Sequence, residues 1–378
     1  MTTCATLFTG GGLFDVGARA AGYTHLWGVE RDAEIADVAR ANGFAVTVAD
    51  VLDCDPHDFA IPTLLHASPP CPNFSQAKAH GVETPLDTAL GEKVGEFIRV
   101  LRPHLVTIEN VWGYRGSRAF AAILRALDES GYLYDVAHVD ASDYGVPQSR
   151  KRLWLRAVRG GLVPYLPPKV RPKVGWYAAI EDLLNDLPES RFANWQLARL
   201  PKEFAGEFFV VPQQSDDKKG TETGYGCPRR SPNEPALTIT AHQNAAWYKA
   251  FILSGGGNTN MDETVEASMS KTRERAWLSS GRVVSMTPRA LARFQSVPDS
   301  YALPGSRALA CRVIGNGCPP KLVEALLREL SQRPPARAAA SRTRPGPITS
   351  RTILRSAARP MPWRWATGIR RPCRSAGG

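Results

Sequence analysis

Three absences narrow the problem before any motif is read. No apolar run in the 378 residues approaches the roughly 20 needed to span a bilayer. Met1-Thr2-Thr3-Cys4 also lacks the basic-then-apolar pattern of a secretory signal. The expectation is a cytoplasmic protein with no membrane partner. The seven cysteines (4, 54, 71, 227, 311, 318 and 373) are odd in number and form no C-x-x-C, which suggests neither a disulfide framework nor a zinc ribbon. Acidic residues are missing from one end. From Arg333 onward there are eleven arginines, no lysine and no Asp or Glu. Removing those eleven from the 47 basic residues leaves 36 against 36 acidic ones in residues 1–332, so the net charge of +11 belongs to the tail. Affinity of the body for a polyanion must therefore come from local patches.

What is present is ordinary in bulk, with 43% hydrophobic and 22% charged residues, and long enough for one large domain or two smaller ones. The first 160 residues alternate strand-like and helix-like segments. Strands are expected at Ala5–Phe8, Leu26–Glu30, Val46–Val48, Leu64–Ala67, Leu105–Glu109, Leu133–Val139 and Leu153–Ala157. Helices are expected near 14–22, 32–42, 88–102 and 117–131. This alternation predicts an α/β fold, a mostly parallel sheet with helices on both faces, whose ligands bind beyond the carboxyl ends of the strands. A proline-rich linker at 160–173 opens an irregular stretch to 285, with short strand-like pieces such as Ala236–Thr240. Regularity returns near Thr287 and ends in an amphipathic helix over Pro319–Gln332. The expected organisation is a catalytic domain at 1–160, a linker and smaller domain at 161–285, a returning segment at 286–332, and a disordered Arg/Pro/Ala-rich tail at 333–378.

Candidate sites fall at the predicted strand ends. Phe8-Thr9-Gly10-Gly11-Gly12 follows the first strand, where glycines let backbone approach a nucleotide-like ligand. Glu30 ends the second strand, placed to accept both ribose hydroxyls, and Asp50 follows the third, placed to accept from an adenine amino group. No P-loop lysine follows, which argues against a triphosphate. After the fourth strand, Ala67-Ser68-Pro69-Pro70-Cys71-Pro72-Asn73-Phe74-Ser75-Gln76 holds a cysteine on a stiff proline loop. The fifth strand ends in Glu109-Asn110-Val111. Alternation in Gln148-Ser149-Arg150-Lys151-Arg152 puts Gln148, Arg150 and Arg152 on one side of an extended segment. Taken alone, the acids could be helix caps and the three polar side chains a solvated edge.

Together these motifs resemble the DNA (cytosine-5)-methyltransferase family, in the family's order. They are the glycine motif at 8–12, Pro70-Cys71 with Phe74-Ser75, Glu109-Asn110-Val111, Gln148-x-Arg150-x-Arg152, Arg289 with Arg293 and Gln295, and Ile314-Gly315-Asn316-Gly317 before Pro319-Pro320. They cover roughly 1–160 and 285–332, and the stretch between falls where the family keeps its target-recognition region. Pro72 stands where the family usually has Gln, and Leu13 and Ser68 replace common glycines.

The resemblance implies a Rossmann-like sheet and a base-flipping reaction. Cys71 adds to carbon 6 of a flipped cytosine, Glu109 carries or shares a proton with ring nitrogen 3, and carbon 5 takes the methyl of S-adenosyl-L-methionine. Arg152 would hold the base's carbonyl oxygen, and Arg150 a phosphate or Glu109. It also implies cofactor contacts from Phe8, Thr9, Gly10, Gly12, Glu30, Arg31, Asp50, Val51, Pro70 and Asn316. Substrate contacts would come from Ser75, Asn110 and Gln148. No metal is called for. The implied partner is double-stranded DNA, with room for a cognate restriction enzyme, and a monomer is expected. Arg229, Arg230, His242, Gln243, Asn244 and Lys249 are candidates for reaching phosphates or base edges. Rival readings are an RNA (tRNA) cytosine methyltransferase, whose C-F-T signature is absent, a non-enzymatic DNA-binding paralogue, and a nicotinamide-dependent Rossmann enzyme, which would leave Cys71, Glu109 and Gln148–Arg152 unexplained together.

Overall fold

Several helices begin where a short polar side chain can satisfy the free amide groups of the first turn. In the computed structural model, which describes residues 2–70, 73–74, 82–192, 206–210, 229–241, 245–253 and 280–331, Asp32 accepts from Ile35 N to start α2 (Ala33–Ala41). Thr84 and Asp87 form a reciprocal capping box, with Pro85 in the first turn, at the head of α3 (Pro85–Leu101). Ser117 caps α4 (Arg118–Glu129). Helix α1 (Leu13–Ala20) is an exception. Gly12, in the left-handed conformation, stands at its cap position with no capping side chain.

Seven strands form the main sheet: β1 (Thr3–Leu7), β2 (Thr24–Glu30), β3 (Val46–Val48), β4 (Leu64–Ala67), β5 (Leu105–Asn110), β6 (Tyr132–Asp140) and β7 (Lys151–Arg159). Their order is β3-β2-β1-β4-β5-β7-β6. The first five are parallel, and the β6–β7 hairpin adds antiparallel to β5. The chain winds outward from β1 to β3 and then crosses to β4 on the other side of β1. The carboxyl ends of β1 and β4 therefore flank a switch point, where such sheets open a crevice. One face is covered by α3 and α4, around Trp27, Phe97, Phe120 and Ile123. The other is covered by α1 and the last helix α8 (Pro320–Ser331), whose Leu322, Val323, Leu326 and Leu327 pack with Phe14 and Trp154.

A second sheet, all antiparallel, has the order β10-β9-β11-β12-β8. Its strands are β8 (Glu189–Ser190), β9 (Phe208–Val210), β10 (Arg229–Arg230), β11 (Lys249–Leu253) and β12 (Gly281–Ser285). Its core also takes in α5 (Trp176–Ile180), α6 (Pro288–Phe294) and α7 (Arg307–Asn316), with Leu13, Ile35 and Val38 of the first half. Residues 288–316 thus share the smaller sheet's core, and α8 is the part of the returning segment that packs on α1. Ala236–Thr240 is not a strand. It runs beside the β6–β7 connection through one bridge, Gln148 to Ala236, because its remaining backbone partners are side chains. The tail from 333, Cys71, Ser75 and His242–Asn244 lie outside the described residues. Among the described residues, no helix is long and apolar enough to cross a membrane.

Candidate functional site

The turn after β1 is bent beyond what most side chains accept. Phe8 has φ +59°, a conformation rare for an aromatic residue, and Gly10 also has φ +59°. The loop is held from several sides. Thr9 N donates to Val29 O at 3.0 Å, Gly10 N to Glu30 Oε2 at 2.9 Å, and Tyr301 OH to Gly11 O at 2.6 Å. A Cβ on Gly11 would stand 2.4 Å from Val313 Cγ1, so α7 seats directly on the loop only because that residue is glycine. Gly12, expected to touch a cofactor, instead packs against Phe44 and does not line the crevice.

Beyond the strand ends lies a cavity of about 730 Å³, within the usual range for a small-molecule site. One end is lined by Phe8, Gly10, Glu30, Arg31, Asp50 and Val51. Each Glu30 oxygen accepts one backbone amide, Oε2 from Gly10 and Oε1 from Asp32 at 3.0 Å, and keeps a second lone pair for a diol. Asp50 Oδ1 accepts from Leu52 N at 3.0 Å, and Oδ2 lies 3.9 Å from Arg31 Nη1 at the partly exposed mouth. A glycine turn, a bidentate acid and a second acid make a cradle that fits a nucleoside without a polyphosphate.

The other end is lined by Pro70, Glu109, Asn110, Arg150, Arg152 and Asn316. Glu109 is the penultimate residue of β5 and is buried. Arg152 Nε stands 3.2 Å from its Oε1. The two are close enough to pair electrostatically but not aligned for a hydrogen bond, and Oε1 has no donor among the described residues. Arg150 does not reach the surface. It is 2% exposed and donates to Ile239 O at 3.2 Å and Gly315 O at 3.0 Å, which corrects the expectation of a phosphate contact. Asn110 is also spent internally. Nδ2 donates to Pro69 O at 3.0 Å and Oδ1 accepts from Val111 N, so it tethers the proline loop from the cavity wall.

Gln148 is the clearest departure from expectation. It is fully buried and away from the cavity. Nε2 donates to Gln295 Oε1 at 3.0 Å and Oε1 accepts from Ile239 N at 3.1 Å. Gln295 Nε2 in turn donates to Ile314 O and Gly317 O. Arg289 and Arg293 of the same late motif are equally structural, bound to Tyr301 O and to Asp299 with Asp182. Lys249 points inward, with Nζ on Arg191 O and burial lowering its pKa, and so leaves the set of DNA-reaching candidates.

Sequence reading missed His66, hidden in an apolar strand. It lines the cavity, stacks on Phe14 at 3.5 Å, and bonds Thr107 Oγ1 at 2.9 Å and Ser68 Oγ at 2.8 Å. Burial lowers its pKa to about 3, so the ring is neutral. Cys318, 3.8 Å from Ser68 Oγ, also lines the cavity. Burial and the nearby Glu109 charge push its thiol up.

Fold and crevice define a doubly wound α/β protein with a nucleoside cradle beside a buried Glu109 paired with the half-buried Arg152. Comparison with known proteins narrows that class. Residues 2–332 match the family model for C-5 cytosine-specific DNA methylase, and the chain belongs to that family. It is 26% identical to the type II methyltransferase M.DdeI of Desulfomicrobium norvegicum, with 86% of this chain and 87% of that one covered. It is 25% identical to M.HpaII of Haemophilus parainfluenzae, with 88% and 89% covered. Among solved structures, the Entamoeba histolytica methyltransferase EhMeth shares the fold with a TM-score of 0.60 at 13% identity, covering 87% of this chain and 98% of that one. A Spodoptera frugiperda DNMT2 variant does so at 0.59 and 16%, covering 87% and 99%. The protein is a DNA (cytosine-5-)-methyltransferase that uses S-adenosyl-L-methionine.

Proposed function

We propose that the chain methylates cytosine within a specific duplex DNA sequence, with Cys71 as nucleophile and Glu109 and Arg152 as the groups that bind the flipped base. The observation that carries this reading is the buried Glu109 Oε1, which faces the cavity with no hydrogen-bond donor of its own. A pyrimidine ring entering the crevice brings an N–H for that oxygen and a carbonyl oxygen for Arg152. Asn110 holds Pro69, two residues before Cys71, and so ties the start of the proline loop to β5. Arg150 acts through Gly315 and Ile239, bracing the far wall. Glu30 and Asp50 hold the ribose and adenine ends of the cofactor, with Phe8, Thr9, Gly10, Arg31, Val51, Pro70 and Asn316 around them. Bound there, S-adenosyl-L-methionine supplies an electrophilic methyl group.

In this reading residues 161–285 carry target recognition, with Arg229 and Arg230 on β10 as candidate phosphate contacts. Ser75 is the further substrate contact in this reading. The type II methyltransferases among its relatives support a place beside a cognate restriction enzyme, and a monomer suffices because the crevice is built from one chain. Bisulfite sequencing of DNA from a methylation-free host expressing the protein tests the reading. Protected cytosines should occur in one recurring sequence, and complete conversion everywhere would overturn it.

A further inference from the structure

Beneath the glycine loop, on the α1 face of the sheet, three side chains of metal-ligand type converge. Cys4 on β1 and His25 on β2 are register partners in adjacent parallel strands, so their side chains share a face. Asp15 is lowered onto that face by α1. Cys4 and Asp15 are each 1% exposed, and the His25 side chain is 8% exposed. The thiol sulfur, a carboxylate oxygen and an imidazole nitrogen all lie within 4.8 Å of one another. His25 Nδ1 is 2.8 Å from Asp15 Oδ1.

We propose that Cys4, Asp15 and His25 bind one dication of the zinc type, at a site separate from the methyl-transfer crevice. Three observations support it beyond proximity. His25 Nε2 lies 2.9 Å from Ala45 O. Donating to that carbonyl turns the Nδ1 lone pair toward the cluster, as the outer partner of a metal-bound histidine does. A thiolate, a carboxylate and a neutral imidazole together match the charge of a dication, so the loaded site carries no net charge into the apolar layer around Tyr23, Leu64 and Leu105. The Tyr23 hydroxyl, in the same buried cluster as Cys4, has no hydrogen-bond partner among the described residues. A water completing the metal's coordination would supply one. Arg19, the cation that reaches the cluster electrostatically, is engaged with Asn42 O, Gly43 O and the Phe44 ring. In tetrahedral zinc, sulfur at about 2.3 Å and nitrogen or oxygen at about 2.0 Å stand roughly 3.3–3.6 Å apart, so shifts of about an ångström assemble the site.

The competing account is a plain buried Asp–His pair with an inert cysteine beside it. Cobalt(II) alone, titrated into chelator-treated full-length protein under reducing conditions, separates the two. One equivalent should bind with a near-ultraviolet thiolate-to-cobalt band, and zinc should raise the thermal midpoint. The band should survive Cys71→Ala, disappear in Cys4→Ser, and need at least tenfold more cobalt in His25→Gln. No band in the native chain, a band unchanged in Cys4→Ser, or a band lost in Cys71→Ala overturns the proposal. If Cys4→Ser fails to fold by circular dichroism, His25→Gln decides, and unchanged cobalt affinity in that variant overturns it.

Discussion

A buried carboxylate oxygen without a donor is costly to maintain, and Glu109 Oε1 is such an atom at the wall of the crevice. Its role separates from that of Glu30 in a measurable way. Glu109→Gln should lower kcat by about 10²-fold or more, the range for a positioned proton-transfer group, with cofactor affinity nearly unchanged. Calorimetry that finds cofactor binding lost would place Glu109 on the wrong side of the crevice. Glu30→Ala should do the reverse and weaken S-adenosyl-L-methionine binding by about 1–3 kcal/mol, with Gly10 N left without its acceptor as part of the loss. Cys71→Ala should abolish methyl transfer while leaving that affinity intact. A duplex carrying 5-fluorocytosine should trap the native protein covalently only when cofactor is present, because fluorine blocks the final elimination. His66 gives a stability signature instead. Its native pKa of about 3 lies below the unfolded value of 6.5, so between those values the unfolded chain binds more protons. Its contribution is present above pH 6.5 and is lost as pH falls toward 3, at up to about 1.4 kcal/mol per pH unit. Urea unfolding of His66→Gln should show a flatter acid limb than the native chain, and parallel limbs would contradict the assignment.

Between elements, the Gln148–Gln295 pair acts as a staple. It joins the β6–β7 connection, the Ile239 segment and the end of α7 through buried amide groups alone. Gln148→Ala strips the partner from Ile239 N and from Gln295 Oε1, each worth about 1–3 kcal/mol when left buried. The expected outcome is a loss of about 2–4 kcal/mol in chemical denaturation, and a loss below 1 kcal/mol would show that water replaces the amide. This pair also marks where sequence legibility stopped. The five parallel strands were readable because buried parallel strands are short apolar runs between helices with clear caps. Glu30, Asp50 and Glu109 line one cavity, as their places at or beside the carboxyl ends of strands led one to expect. Alternation put Gln148 on the same side as Arg150 and Arg152, yet Arg152 stands 3.2 Å from Glu109 while Gln148 is buried against Gln295 and Arg150 donates to Ile239 O and Gly315 O. Local period says which side chains share a face, not what that face meets. Here it meets the segment around Ile239 and α7, roughly 90 and 165 residues away in sequence. His66 was illegible for the converse reason, as a polar residue satisfied inside an apolar strand leaves no pattern.

At the scale of the whole molecule, charge is divided unevenly. Residues 1–332 balance at 36 basic and 36 acidic, and the tail adds eleven arginines. The family match ends at residue 332. The tail's sequence has no acids and no apolar periodicity. The crevice, its bracing arginine and the Gln148–Gln295 staple all lie in the body. A chain of residues 1–333 should therefore fold, bind S-adenosyl-L-methionine and methylate the same sequence at an unchanged rate. DNA binding needs a separate measurement, because phosphate contacts act without reading bases. Each neutralised phosphate steepens the fall of log K with log salt by about 0.9 on duplex DNA. If the tail grips the backbone, truncation should flatten that slope and weaken binding most at low salt, leaving the target sequence as it was. If it does not, the two salt titrations should superimpose. A truncated chain that cannot fold or methylate would refute both outcomes and make the tail part of the enzyme proper.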